Sequence, residues 1–281
     1  MERKNVYICM LAALLSCSDS VKVSRTLDAM PAIFPDYNGV VIPPNMAPLN
    51  FALDDQDAGS RAVFSFGGQQ FEVKGENGSI VIPPSKWKKL LESAAGDSIQ
   101  VTVQVKQGNE WVAYSPFAIR VAPEKVDSYL AYRLIDPGYE LWNKMGIYQR
   151  DLESYTQIPI IENKMSGNNC VNCHSFCMQD PNKMLFHMRE TFPGTILVDG
   201  DKIEKLNTKT KETISSLVYP SWHPSGKYVA FSVNTTKQAF HLNDRNRVEV
   251  YDEASDVVVY DVEKHEIVTA SNIFSKDAFE T

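Results

Sequence analysis

The stretch that decides the fold class reads Ile-Gln-Val-Thr-Val-Gln-Val-Lys and runs from Ile99 to Lys106. Its apolar and polar side chains alternate one for one, which is the period of a β-strand that is buried on one face only. Segments of the same character lie on both sides of it, and Gly67-Gly68 separates two of them as a hairpin turn. Residues 31–122 are therefore predicted to form a small β-sandwich.

One helix is predicted to interrupt these strands. Ser85 is a suitable N-cap residue, and Gly96 is a residue that commonly ends a helix. The side chains expected on its buried face are Trp87, Leu90, Leu91 and Ala94.

The composition limits the functional classes. A length of 281 residues gives room for two domains, and the apolar and charged fractions of 43% and 22% are those of a globular protein. The 35 Asp and Glu residues outnumber the 28 Lys and Arg residues, which gives a net charge of -7. Nucleic-acid-binding domains carry a clustered basic patch, which this sequence lacks, so no nucleic-acid partner is predicted.

The first residues predict export. Residues 1–16 have a charged start and the apolar run Val6–Leu15, which has the length of a signal-peptide core and is too short to span a bilayer. The run leads into Leu-Leu-Ser-Cys, which resembles the lipobox of bacterial lipoproteins, so Cys17 is predicted to carry a lipid anchor. Residues 17–30 would be a tether at the periplasmic or outer-membrane face of the cell envelope. An ordinary secretory signal and a short buried helix are the alternatives.

Segment 166–183 carries a local cluster of reactive side chains. It contains Cys-Val-Asn-Cys-His from Cys170 to His174, which is the attachment motif of c-type haem. The thiols of Cys170 and Cys173 would form thioethers with the two haem vinyl groups, and His174 would bind the iron as its proximal ligand. One covalent haem c is therefore the predicted cofactor.

Two other uses of these residues stay open. Cys170, Cys173 and Cys177, together with His174 or His187, have the composition of a zinc site with three cysteines and one histidine. Alternatively, two of the cysteines form a structural disulfide, which is common in exported proteins.

The candidate for a sixth iron ligand is His187, which lies on a predicted strand after the motif. The alternatives are a methionine and an open or water-bound position. The methionines that lie close in sequence are Met165, Met178, Met184 and Met188.

Residues 123–165 are predicted to be a connector of short helices on either side of a turn at Asp136-Pro137-Gly138. Its aromatic side chains either pack the connector between two domains or form a wall of the haem pocket. They are Tyr129, Tyr132, Tyr139, Trp142, Tyr148 and Tyr155.

Residues 184–281 return to a β pattern. The stretch Tyr219–Ser232 contains Trp-His-Pro-Ser-Gly-Lys before an apolar strand, which resembles the repeat of TolB-like β-propellers. Asp256–Val262 and Glu266–Val268 resemble the outer hairpin of the same blade. Because a blade takes roughly 40 to 50 residues, this region has room for about two blades. An incomplete propeller, or a truncated chain with Asp277–Thr281 approaching a further repeat, is predicted.

The segment from Cys170 to Arg189, flanked by these two β regions, resembles a family of exported Bacteroidetes lipoproteins with a TolB-like region and a c-type haem motif. The resemblance covers most of the chain and implies no known activity. Three functions fit: electron transfer to an unidentified redox or envelope partner, a propeller scaffold in which the cysteine motif is structural, and a haem enzyme that uses Arg189. The sequence favours the first two, which are not enzymatic, and it contains no hydrolase motif.

Overall fold

A computed structural model describes residues 22–54, 59–135, 144–245 and 248–268. Over these ranges the chain is mainly β, which confirms the predicted fold class at that level. The chain divides into two units. The N-terminal unit consists of residues 1–128 and 152–154, and the C-terminal unit consists of residues 129–151 and 155–281.

The described part of the N-terminal unit has ten strands and one helix. In chain order these are β1 (Val23–Thr26), β2 (Ile33–Phe34), β3 (Val41–Ile42), β4 (Phe51–Leu53), β5 (Ser60–Phe66), β6 (Gln69–Lys74), β7 (Ser79–Ile80), α1 (Pro84–Ser93), β8 (Ser98–Gln107), β9 (Glu110–Ala113) and β10 (Phe117–Val121).

Strand β8 is the central strand of this unit. It pairs antiparallel with β5 along one edge and with β9 and β10 along the other. Strands β1, β3 and β6 complete a seven-stranded sheet, and β2, β4 and β7 form a separate three-stranded sheet. Ile99, Val101 and Val103 are fully buried, so the alternation predicted for this strand is confirmed.

Helix α1 packs on the core with the predicted face. Trp87, Leu90 and Leu91 are buried. The Trp87 ring meets the ring of Phe64 edge-on at a centroid distance of 5.9 Å, and its Nε1 donates a hydrogen bond to the Met46 carbonyl at 3.0 Å. The apolar face and the indole hydrogen bond together fix the helix on the sheet.

The start of α1 differs from the prediction. Pro83 occupies the N-cap position in place of Ser85, and no side chain caps the helix. Proline suits the following position, Pro84, because its φ is already near the helical value and its missing N–H would have no partner in the first turn. At the other end, Ala94 is the C-cap and Gly96 has a φ of +83°.

The described part of the C-terminal unit contains three antiparallel sheets. The first sheet is β11 (Tyr129–Ile135), β12 (Met145–Asp151) and β13 (Gln157–Glu162). The second sheet is β14 (Cys170–Phe176), β15 (Lys183–Arg189), β16 (Gly194–Asp199) and β17 (Lys202–Leu206). The third sheet is β18 (Val218–Trp222), β19 (Tyr228–Phe240), β20 (Val248–Asp261) and β21 (Glu266–Val268). Short 3₁₀ helices span Asn163–Ser166 and Cys177–Gln179.

The prediction of a helical connector at 123–165 is wrong for the residues that the structure describes. This region forms β11, β12 and β13, followed by a 3₁₀ turn. Tyrosine and isoleucine favour strands, and Tyr132 lies directly opposite Tyr148 with the ring centroids 6.4 Å apart. Such aromatic pairs stabilise adjacent antiparallel strands. The predicted turn and two of the aromatic residues lie outside the described ranges: Asp136, Pro137, Gly138, Tyr139 and Trp142.

The second sheet is buried on both faces. We call the group on one face the Phe186 cluster; its buried members are Ile147, Val171, Met184, Phe186, Met188 and Ile196. The group on the other face joins the second sheet to the third and includes Leu185, Leu197, Leu217, Val229 and Phe231. Successive residues of β15 therefore enter different cores, as the side-chain alternation of a strand requires.

The turn that follows Trp222 and the apolar strand predicted after it are both present. Strands β18 and β19 pair across a turn in which Gly226 has a φ of +69° and donates its N–H to the His223 carbonyl at 2.9 Å. Trp222 Nε1 donates to the Ser175 carbonyl of the second sheet at 3.1 Å. The two strands predicted downstream are confirmed as β20 and β21.

None of the sheets in the described ranges closes on itself. Asp277–Thr281 lies outside those ranges, as does the signal and lipidation region around Cys17. In the part of the chain that the structure covers, no helix is long and apolar enough to cross a membrane.

Candidate functional site

The cysteine motif lies on β14 and contains a β-bulge. Asn172 pairs with His187 and Ser175 pairs with Leu185, so Cys173 and His174 together lie opposite the single residue Phe186. Cys173 has a φ of +52°, a backbone conformation that is uncommon for residues other than glycine. Bulges of this kind change the direction of side chains and occur frequently beside functional sites.

The approach to β14 is held in place by two turns and a buried asparagine. Gly167 and Asn168 both have positive φ values, of 71° and 62°, and they turn the chain into the strand. Asn169 is fully buried, and its Oδ1 accepts a hydrogen bond from the Phe192 backbone N–H at 3.0 Å. Its Nδ2 has no hydrogen-bond partner among the residues described.

All three cysteines of the motif region are free thiols. Cys170 and Cys173 are half-buried, whereas Cys177 is buried. Burial raises the pKa of the Cys170 thiol, and the guanidinium groups of Arg189 and Arg133 partly oppose this shift. Cys170 therefore stays protonated at neutral pH, and it lies close enough to Cys173 for the two thiols to influence each other electrostatically.

His174 is oriented by the backbone of β11. Burial lowers its pKa, while a backbone hydrogen bond at Ala131 raises it and the nearby Arg133 lowers it. Because that hydrogen bond favours the protonated ring, the backbone group must be the acceptor, which is the Ala131 carbonyl. The His174 ring also meets the Phe176 ring edge-on at a centroid distance of 6.4 Å.

His187 lies in a different environment. It is 3% exposed, and its Nδ1 is 3.1 Å from Thr195 Oγ1, whose hydroxyl donates to the Leu217 carbonyl at 3.4 Å. Burial, followed by the charge of Arg189, lowers the pKa of His187 to about 4. His187 contacts Thr195, and over the described residues no hydrogen bond or ring contact joins it to His174.

The residues proposed for the alternative zinc site do not form a metal-binding group either. Over the described residues, no three His, Cys, Asp or Glu side chains are grouped in a way that could hold a metal ion. Cys177 lies in the 3₁₀ turn after β14, where a Cβ added at Gly226 would be 3.3 Å from its Sγ. Its sulfur therefore faces the turn before β19.

No family model, curated protein or solved structure matches this chain.

The remaining predicted ligands are distributed as follows. Met165 and Met178 are exposed, whereas Met184 and Met188 are buried in the Phe186 cluster. The lipidation residue, Cys17, lies outside the described ranges.

Sequence reasoning missed the contribution of β11 to the site. Ala131 acts through its backbone carbonyl, which no side-chain pattern reveals. Arg133 lies two residues further along the same strand and influences both Cys170 and His174.

Proposed function

We propose that the chain is a c-type haem protein that is lipid-anchored at the bacterial cell envelope and serves electron transfer or redox-linked binding. The observation that carries the proposal is the pair of free thiols of Cys170 and Cys173, which stand on the bulged strand β14 with the spacing of the attachment motif and with His174 directly after them. Export is supported by the apolar run that precedes Cys17. The partner would be a redox or envelope protein, and membrane contact would be through the lipid anchor.

The residues present fit a covalently attached haem. Cys170 and Cys173 would hold it through thioethers, and both thiols are half-buried and unpaired. When bound, haem supplies one-electron redox chemistry at its iron. Iron-ligating histidines commonly donate their other ring N–H to a backbone carbonyl, which fixes the tautomer and the orientation of the ring. The contact between His174 and Ala131 is of that kind.

The electrostatics around His174 also favour its use as a ligand. Metal binding requires the neutral imidazole. Burial and Arg133 both lower the pKa of His174 and so favour that form at neutral pH. A backbone hydrogen bond at Ala131 opposes this shift.

For the fold we propose that the N-terminal unit is a β-sandwich and that the C-terminal unit is an incomplete TolB-like propeller. The sandwich is supported by a three-stranded sheet that shares a core with the seven-stranded sheet. The propeller is supported by successive antiparallel sheets, β11–β13, β14–β17 and β18–β21, that share cores with their neighbours in sequence. In this arrangement the cysteine motif is part of the first strand of one blade.

Expression of the full chain in a host competent for c-type haem maturation tests the function. We expect the mass of one added haem and the pyridine haemochrome spectrum of a c-type haem. Cys170→Ser/Cys173→Ser should lose the covalent haem because no thioether can form. Cys177→Ser is the matched control, because it makes the same change of sulfur to oxygen three residues beyond His174 and should retain the haem.

A wild-type chain without haem under these conditions would contradict the proposal. If its mass were also lower by two hydrogens, two of the cysteines would form a disulfide. The function would then be that of a partner-binding scaffold in which the motif is structural.

The position of His187 gives a second expectation. In the haem-loaded protein, His187→Gln should leave the visible spectrum and the reduction potential unchanged, because the ring faces Thr195 and not β11. A shifted Soret band or a changed potential would show that His187 is an iron ligand. The exposed His223, substituted in the same way, is the control.

A further inference from the structure

Strand β11 is an edge strand of the first sheet of the C-terminal unit. It pairs with β12 on one side, and over the residues that the structure describes no strand pairs with its other side. The outer side of an edge strand presents backbone N–H and C=O groups that can pair with a further strand. The hydrogen bond between His174 and the Ala131 carbonyl leaves that oxygen a second lone pair. None of the seven residues of β11 is buried.

The other edge strands in the described part of this unit carry features that discourage pairing with another chain. Strand β13, at the opposite edge of the same sheet, contains Pro159, and β18 contains Pro220. Strand β14 has the bulge at Cys173, and β21 is only three residues long. Strand β17 carries the charges of Lys202 and Lys205.

Strand β11 has neither a proline nor a bulge. Its residues pair with β12 one for one along the whole strand, without a register shift. Its sequence is Tyr-Leu-Ala-Tyr-Arg-Leu-Ile, in which Arg133 is the single charge. The Leu130 and Leu134 side chains are 50% and 40% exposed. A regular, apolar and exposed edge strand of this length is a site at which chains associate.

The sequence of β11 is complementary to itself when two copies run antiparallel. With a two-fold axis at Tyr132, the middle residue, all seven residues find a partner. Leu130 of each copy then faces Leu134 of the other, and Arg133 faces Ala131, so the two guanidinium charges are not opposite each other. A parallel arrangement in the same register would place the two Arg133 side chains side by side, and like charges in that position are destabilising.

We propose that β11 pairs with β11 of a second copy of this chain, so that the two three-stranded sheets join into one continuous antiparallel sheet. Leu130, Tyr132 and Leu134 of both copies would form one row of side chains across the two-fold axis. The Tyr148 ring, 6.4 Å from the Tyr132 ring on β12, would extend that row in each copy. The pairing uses no residue of the cysteine motif and is independent of the haem.

The oligomeric state of the full chain tests this pairing. Sedimentation equilibrium in a density-matched detergent, which also covers a lipid anchor, should give twice the mass of one chain. Leu130→Lys/Leu134→Lys places an introduced lysine opposite another at two symmetric positions. We expect the dissociation constant of the dimer to rise about tenfold or more, because two apolar pairs become two like-charge pairs. Both side chains are already exposed, so the fold should tolerate the change.

The matched control is Leu130→Lys/Leu134→Glu, which introduces charges at the same two positions. In the proposed register the lysine introduced at position 130 faces the glutamate introduced at position 134 of the second copy. This variant should therefore dimerise about tenfold more tightly than the double lysine variant. Equal dissociation constants for the two variants would overturn the pairing, because the register requires them to differ.

Two measurements on the wild type need no substitution. A chain that remains monomeric at about 100 μM would overturn the pairing and leave the edge to a strand of a different protein. In a dimeric chain, the amides of β11 should exchange their hydrogens more slowly as the chain concentration rises, whereas those of β8 should not change. A dimer in which exchange from β11 is independent of concentration would show that the chains associate through another surface.

Discussion

Phe186→Ala is expected to lower the free energy of unfolding of the C-terminal unit by about 3 to 5 kcal/mol. The Phe186 ring is 6% exposed and packs with Ile147, Val171 and Met188. Its truncation removes apolar burial and leaves a cavity beneath the β-bulge, because Phe186 is the single residue opposite Cys173 and His174. The effect should therefore concentrate on the strand that carries the attachment motif.

Denaturant unfolding combined with hydrogen exchange measures this effect. We expect loss of protection in β14 and β15, with the amides of β8 in the N-terminal unit as an internal reference. Phe192→Ala is the matched control, since it deletes the same ring from the same unit at a position that is 53% exposed. Its cost should stay below about 1 kcal/mol. Equal costs for the two substitutions would show that Phe186 does not support the bulge.

Local patterns predicted the strands that have one buried face. The alternation in β8 and the glycine turn between β5 and β6 are properties of short segments, and both are confirmed. The buried face of α1 followed in the same way from its spacing. The cap at Ser85 was wrong because the two prolines before it already fix the backbone where the helix starts.

The connector was wrong for a different reason. Its turn residues and charges suggested short helices, but Tyr129–Ile135 has the aromatic and β-branched content of a strand. Its stability as a strand depends on pairing with β12, which begins ten residues later, at Met145. A prediction from local turn residues gave too little weight to that pairing.

The site was predictable in its chemistry and not in its geometry. The spacing of Cys170, Cys173 and His174 is visible in the sequence, whereas the bulge arises from pairing with β15 and the ring orientation arises from a carbonyl of β11. His187 contacts Thr195, whereas its neighbour in the strand, Phe186, packs in the Phe186 cluster. The local pattern does not show which face of β15 lies against the cysteine motif, because that depends on how the sheets pack.

The stability of the C-terminal unit should decrease as the pH falls from about 6.5 to about 4, and His187 should cause a large part of the decrease. The pKa of His187 falls from 6.5 to about 4 in the folded chain, first because the ring is buried and second because Arg189 is close. Between these two pH values the unfolded state binds a proton that the folded state excludes, so acid favours unfolding. The difference in pKa corresponds to roughly 3 kcal/mol, which is present above about pH 6.5 and lost below about pH 4.

His187→Gln removes this titration, and its free energy of unfolding should vary with pH by roughly 3 kcal/mol less than that of the wild type over the same interval. Unfolding in denaturant at a series of pH values provides the measurement, and the carboxylates that titrate in the same range contribute equally to both proteins. His223→Gln, at an exposed ring of the same unit, should follow the wild-type curve. Parallel curves for His187→Gln and the wild type would mean that the imidazole gains its proton without loss of the packed sheet. In that case the contact with Thr195 would have to accommodate the charged ring. The burial of His187 between β15 and the loop at Leu217 would then not control how the stability responds to acid.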